Sequence, residues 1–136
     1  MGDDILEMLG SVPLFAKLSN KELKSLASSG REVDRAAGAV ITTEGEDGVA
    51  FFLILDGSAE VSSGGKPLRT LGRGDHFGEI SLIDGGPRTA TVTITEDARL
   101  FGLTAWTFKP LLKMHPEMAE GLLMALCKMI RSYEQT

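Results

Sequence analysis

The sequence predicts an α+β fold, mainly β: an antiparallel sandwich or barrel with helices before it and two helices after it. Three observations predict this. Between residues 31 and 103 short runs are broken by turn signals such as Asp56-Gly57 and Gly64-Gly65, and strands punctuated so regularly belong to antiparallel sheets and not to parallel ones. Residues 3–28 and 104–135 carry apolar side chains at helical spacing. The length, 136 residues, suits one domain around a single sizeable core.

The elements follow in order. Ile5, Leu6, Met8 and Leu9 share one face of a first helix, and Pro13 interrupts it. Ser19, Asn20, Lys21 and Glu22 form a capping box that leads into Leu23 and Leu26. These N-terminal helices pack on the core and carry no chemistry. Phe51, Phe52, Leu53, Ile54 and Leu55, then Asp56-Gly57, then Ser58, Ala59, Glu60 and Val61 read as a hairpin, since Asp-Gly supplies the positive φ of a tight turn. Ser63-Gly64-Gly65-Lys66 marks another reversal. Residues 89–95 alternate, with Ala90, Val92 and Ile94 on one face, and 98–103 form a further strand.

Thr104 can cap a helix through Trp106, Phe108, Leu111 and Leu112, with Pro110 placed to kink it. Pro116 suits the first turn of the last helix. There Leu122, Leu126, Met129 and Tyr133 form one stripe, with Ala119, Leu123, Cys127 and Ile130 beside it. That is more apolar surface than one-sided burial needs. The first stripe is expected to join two copies, while Ala119, Leu123 and Ile130 serve the chain's own core and Cys127 is a buried, inert thiol.

Composition excludes several classes. Nineteen acidic against fourteen basic residues give a net charge of −5, with no basic block, which argues against nucleic-acid or anionic-membrane attachment. One cysteine gives no disulfide framework and no cysteine-based zinc site. The acidic start is no signal peptide, and no apolar run approaches eighteen residues. A cytoplasmic protein is expected.

The most informative run is 77–92. Gly78-Glu79 opens a short apolar helical turn, Gly85-Gly86-Pro87 breaks it, and Arg88 opens an alternating strand. A helix start after glycine presents free N–H groups and a positive dipole end, which suits an anion. Arg88 can add a planar fork of donors to the same anion, and Glu79 can accept from a nearby sugar hydroxyl.

With these residues in place, the chain resembles the cyclic nucleotide-binding domain, found in catabolite-activator transcription factors, kinase regulators and some ion channels. The resemblance runs from about Val12 to Tyr133. It includes Leu14-Phe15, Leu18-Ser19 with Glu22-Leu23, Glu44-Gly45-Glu46, Asp56-Gly57 and Leu71-Gly72-Arg73-Gly74-Asp75. Phe77-Gly78-Glu79 with Pro87-Arg88-Thr89-Ala90 is similar to the family's phosphate-binding cassette. The resemblance implies a jelly-roll-like barrel over 31–103, its cassette at 77–90, within a single domain of residues 1–136.

It also implies a ligand, cAMP or cGMP, and site roles. Glu79 would bond the ribose 2′-hydroxyl and Arg88 the exocyclic phosphate oxygens. Backbone groups of Gly78, Ile80 and Ser81 would cradle the phosphate. Thr89 would reach phosphate or base, beside Ala90, and Tyr133 would cap the base. No cofactor, metal or catalytic residue is implied. The chain stops at Thr136, short of the helix-turn-helix, kinase or channel regions of the family, and Met1 favours a natural chain. A sensor without an attached effector is therefore expected, signalling through a downstream protein or a homodimer. The alternative is an interaction module of the same fold that binds no nucleotide.

Enzyme chemistry finds no footing in the sequence. Gly64-Gly65-Lys66-Pro67 fails the P-loop pattern, and Gly72, Gly74 and Gly78 miss the dinucleotide spacing. His76 and Glu79 stand at H-x-x-E spacing, but two histidines and no cysteine pair cannot supply a usual metal set. That spacing reads as accidental.

Overall fold

The computed structural model describes the chain path over residues 2–134 and the side chains over residues 4–132. The chain forms two compact units: residues up to 29 with those from 107 on, and residues 30–106.

In the first unit, α1 (Gly2–Ser11) ends before Pro13, which starts a single 3₁₀ turn (Pro13–Phe15). Proline is tolerated there because the first N–H of a helix has no acceptor in any case. The predicted capping box then closes. Ser19 N–H donates to Glu22 Oε1 at 2.8 Å, and Glu22 N–H donates to Ser19 Oγ at 3.2 Å. Two donors that a helix start leaves free are thereby satisfied, and α2 (Asn20–Ser29) follows. At the other end of the chain, α4 (Ala105–Met114) contains Pro110 and α5 (Pro116–Glu134) opens on Pro116. The rings of Phe15 and Phe108 lie 6.5 Å apart. A Cβ on Gly121 would stand 3.1 Å from Leu18 Cδ2 and 3.3 Å from the Lys17 carbonyl, so α5 passes close to the segment after the 3₁₀ turn.

The second unit is one antiparallel sheet. Its strands are β1 (Arg31–Arg35), β2 (Val40–Thr42), β3 (Ala50–Ser63), β4 (Lys66–Leu71), β5 (His76–Phe77) and β6 (Thr91–Thr104), with the short α3 (Glu79–Asp84) between β5 and β6. The order is β1-β6-β3-β4, with β2 also on β6 and β5 also on β3. These pairings form an open path; none among the described residues closes it into a ring. Ile54, Ala59, Val61, Leu71, Phe77, Val92, Ile94, Ala98 and Leu100 form the buried cluster between the strands. Each large side chain in it stabilises the fold by roughly 1.5–3 kcal/mol.

Two expectations about this sheet are corrected. Asp56-Gly57 is no hairpin turn: β3 runs straight through it, and the register against β6 shifts at Ile54/Asp56, Asp56/Ser58 and Ser58/Ala59. Gly57 has φ 91°, and a Cβ there would lie 2.4 Å from the Asp97 carbonyl. Glycine serves here as a bulge against β6, a role that glycine inside a strand often marks. Likewise 91–95 and 98–103 belong to one strand, β6, which begins only at Thr91 and leaves Thr89 and Ala90 outside it. The reversal at Ser63-Gly64-Gly65-Lys66 is a true two-residue hairpin, with Ser63 opposite Lys66 and φ of 59° and 77° at the glycines.

Helix α5 is corrected as well. Among its described side chains Met118, Leu122 and Ala125 are buried, while Leu123, Met124 and Ile130 are 63%, 58% and 57% exposed. Cys127 is exposed, not buried. The inward stripe is thus rotated from the one expected: Leu122 belongs to the core, and Leu123 and Ile130 face water. Among the described residues no helix is long and apolar enough to cross a membrane.

Candidate ligand-binding site

Phe77 fixes the start of the site. It pairs with Phe52 across β5 and β3, and the two rings stack at 5.3 Å. One residue later Gly78 takes φ 91° as the residue before α3. Two independent demands make glycine necessary there. The left-handed backbone disfavours any Cβ, and a Cβ would also lie 2.4 Å from the Ala50 carbonyl and 2.6 Å from Arg88 Nη1. The turn at Gly78 starts α3 at Glu79, and helix geometry leaves the N–H groups of Glu79, Ile80 and Ser81 without intrahelical acceptors. The Ser81 side chain is buried and its Oγ donates to the Gly86 carbonyl at 3.3 Å. Gly85, φ 67°, ends α3 by donating its N–H to the Ser81 carbonyl at 2.8 Å.

Arg88 does not open a strand as expected; it sits in the loop ahead of β6. Its backbone is strapped to the loop between β2 and β3. Arg88 N–H donates to the Glu46 carbonyl at 2.7 Å, Gly45 N–H donates to the Arg88 carbonyl at 2.9 Å, and Gly48 N–H donates to the Gly86 carbonyl at 3.0 Å. The side chain turns inward between two glycines. A Cβ on Gly48 would meet Arg88 Nε at 2.4 Å, as one on Gly78 would meet Nη1. Nη2 donates to the Ala50 carbonyl at 2.8 Å. Nη1 is buried and has no hydrogen-bond acceptor among the described residues. Burial pulls the guanidinium below its ordinary pKa, because desolvation penalises the charged form.

The other expected site residues fall as follows. Glu79, 17% exposed, lies with Oε1 3.0 Å from Nδ1 of His76. Ile80 exposes its side chain to solvent. Thr89 is exposed and Ala90 half-buried, both in the loop before β6, so Thr89 is no member of the alternating strand. Thr42 Oγ1 donates to the Ala90 carbonyl at 3.3 Å. Tyr133 falls on α5, but its side chain lies outside the described residues. The structure therefore brings Gly78, Glu79, Ser81 and Arg88 into one place. Sequence reasoning missed Gly48, the Ala50 carbonyl and His76. Glu44-Gly45-Glu46 flagged the strapping loop, yet only the fold shows that Gly48 makes room for a guanidinium. Among the described residues no three His, Cys, Asp or Glu side chains cluster as a metal site would require.

Comparison with known proteins agrees with this geometry. Residues 32–115 match the family model described as "Cyclic nucleotide-binding domain". A cyclic nucleotide-gated potassium channel of Rhizobium etli is 39% identical over 116 residues, covering 85% of this chain and 32% of the channel. The chain thus spans about a third of that relative's length. The N-terminal domain of a transcriptional regulator from Streptomyces coelicolor superposes with TM-score 0.85 at 32% identity, covering 94% of this chain and 93% of that one. The regulatory domain of Toxoplasma gondii PKA, solved with cAMP, superposes with TM-score 0.74 at 28% identity, covering 81% and 44%.

Proposed function

The chain belongs to the cyclic nucleotide-binding domain family, and from that premise we propose that it is a regulatory module which binds cAMP or cGMP and passes the event to a protein it contacts. The observation that carries this reading is Arg88 Nη1, a buried cationic donor with no acceptor among the described residues. Leaving such a donor unpaired is costly, by roughly 1–3 kcal/mol or more for a charged group. An anion in front of it removes that cost. The free N–H groups at the start of α3 aim the same preference at the same place, and a singly charged cyclic phosphate matches one guanidinium.

The remaining roles follow from what each group offers. Gly78, Ile80 and Ser81 supply backbone groups to the phosphate, Glu79 accepts from the ribose 2′-hydroxyl, and the exposed Thr89 offers its hydroxyl to phosphate or base, beside Ala90. Tyr133 is assigned to the base from α5. The sheet is taken to curl into a jelly-roll barrel, aided by the bulge at Gly57, and the two compact units to be parts of one domain. No reaction on the nucleotide is proposed, since the site offers binding groups and the family is regulatory. The signal is assigned to a downstream protein or to a second copy reached through α5.

A thermal-shift series with cAMP and cGMP tests the reading. Ligand at a hundred times its dissociation constant adds about 2.7 kcal/mol of stability, a clear rise in melting temperature. No rise with either nucleotide would leave an interaction module that binds no nucleotide.

A further inference from the structure

His76 and Glu79 are brought together by the turn that the cassette requires. His76 lies on β5 opposite Leu53 of β3, and Glu79 is the first residue of α3. A regular strand would point residues three apart to opposite faces. The left-handed Gly78 reverses the chain between them, and Nδ1 ends 3.0 Å from Glu79 Oε1. Both side chains are largely shielded, 24% and 17% exposed. The imidazole is held in turn by the Phe51 ring, 6.2 Å away and inclined by 32°. Nδ1 is within contact range of Oε1 but outside the angular range of a hydrogen bond, so this buried atom has no hydrogen-bond partner among the described residues.

We propose that His76 is a positioning residue for the ribose contact: it holds Oε1 of Glu79 and thereby sets the carboxylate for the sugar hydroxyl. The inference rests on the reading of Glu79 given above. A carboxylate has two oxygens and about four acceptor sites. Occupying one oxygen with a donor on a supported ring limits rotation about the last side-chain bond, which is otherwise broad and soft. The second oxygen is then presented in one orientation. The proposal puts the ring hydrogen on Nδ1, the nitrogen that faces Oε1. A small turn of ring or carboxylate brings the 3.0 Å contact into line, and a hydroxyl bound at the other oxygen favours that alignment.

The test compares cAMP with 2′-deoxy-cAMP by titration calorimetry on the full chain. Wild type should prefer the ribose form by about tenfold or more, as for a hydrogen bond to a charged group. His76→Phe keeps a flat ring beside Phe51 and removes the donor. It should weaken cAMP by roughly three- to tenfold and leave 2′-deoxy-cAMP within about twofold. His76→Asn, whose amide nitrogen stands near the place of Nδ1, should restore most of the preference. Equal losses for both ligands, no loss in His76→Phe, or no restoration in His76→Asn would overturn the inference while leaving Glu79 on the ribose. A wild type that does not distinguish the two ligands would overturn the ribose reading and this inference together.

Discussion

Arg88 is held through Nη2, which donates to the Ala50 carbonyl, while Nη1 is buried without an acceptor among the described residues. Arg88→Ala is therefore expected to abolish or severely weaken nucleotide binding and leave the fold intact. Removing one side of a buried charge pair costs roughly 2–5 kcal/mol, or about 30- to several-thousand-fold in affinity. Calorimetry on wild type and variant measures it, and affinities within threefold would remove Arg88 from the site. Thr89 stands next to it with an exposed side chain outside the strand, free to meet the guanine amino group of a syn ligand. Phosphate and ribose contacts are common to both nucleotides, so only the base can discriminate. One neutral hydrogen bond is worth roughly 0.5–1.5 kcal/mol, a few-fold to about tenfold. Thr89→Ala should thus weaken cGMP more than cAMP; equal losses would confine Thr89 to the phosphate.

Among the elements, the long strands β3 and β6 decide where the cassette sits, and their bulge depends on one residue. Gly57 combines φ 91° with backbone of β6 at 2.4 Å from a would-be Cβ. Gly57→Ala should destabilise by roughly 1–3 kcal/mol, read as a lower urea midpoint at unchanged slope. The β3–β4 hairpin has its own acidic clasp. Glu44 accepts from Gly64 N–H at 2.9 Å and from Ser63 Oγ at 2.8 Å, and these bonds, Gly64 first, hold its carboxyl below the ordinary value. A depressed carboxyl contributes stability above its unfolded pKa and loses it as pH falls through the folded one. Glu44→Gln should therefore differ from wild type at neutral pH and converge with it in acid, in melts run across that range. A difference that persists in acid would show that charge on Glu44 is not what matters.

For the whole molecule, the question is what covers α5. Leu123, Met124 and Ile130 are each more than half exposed, with Cys127 exposed among them. Positions 123, 127 and 130 recur at i, i+4 and i+7, one face of a helix. The expected self-association then uses this face and not Leu122, which is buried. Light scattering over a concentration series should show twice the monomer mass, and Leu123→Asp should lower it without changing the melting temperature. Leu122→Asp should instead destabilise the fold, because it buries a charge without a partner. A strict monomer at high micromolar concentration would sink the idea.

Sequence alone determined the features that depend on local rules. The capping box at Ser19 and Glu22, the break at Pro13, the hairpin at Gly64-Gly65 and the helix starting on Pro116 each need only near neighbours in the chain, so residue type and spacing suffice. The run that holds Gly78, Glu79 and Arg88 was legible for the same reason, as a motif within a dozen positions. Tertiary structure decided what depends on distant partners. Asp56-Gly57 carries the chemistry of a turn, and only the packing of β6 against it makes a bulge. The stripe of α5 has apolar residues all round, so periodicity could not choose between Leu122 and Leu123; burial did. Gly48 looks like any loop glycine until Arg88 folds against it. His76 and Glu79 looked accidental until a left-handed glycine, which strand periodicity does not anticipate, turned them toward each other.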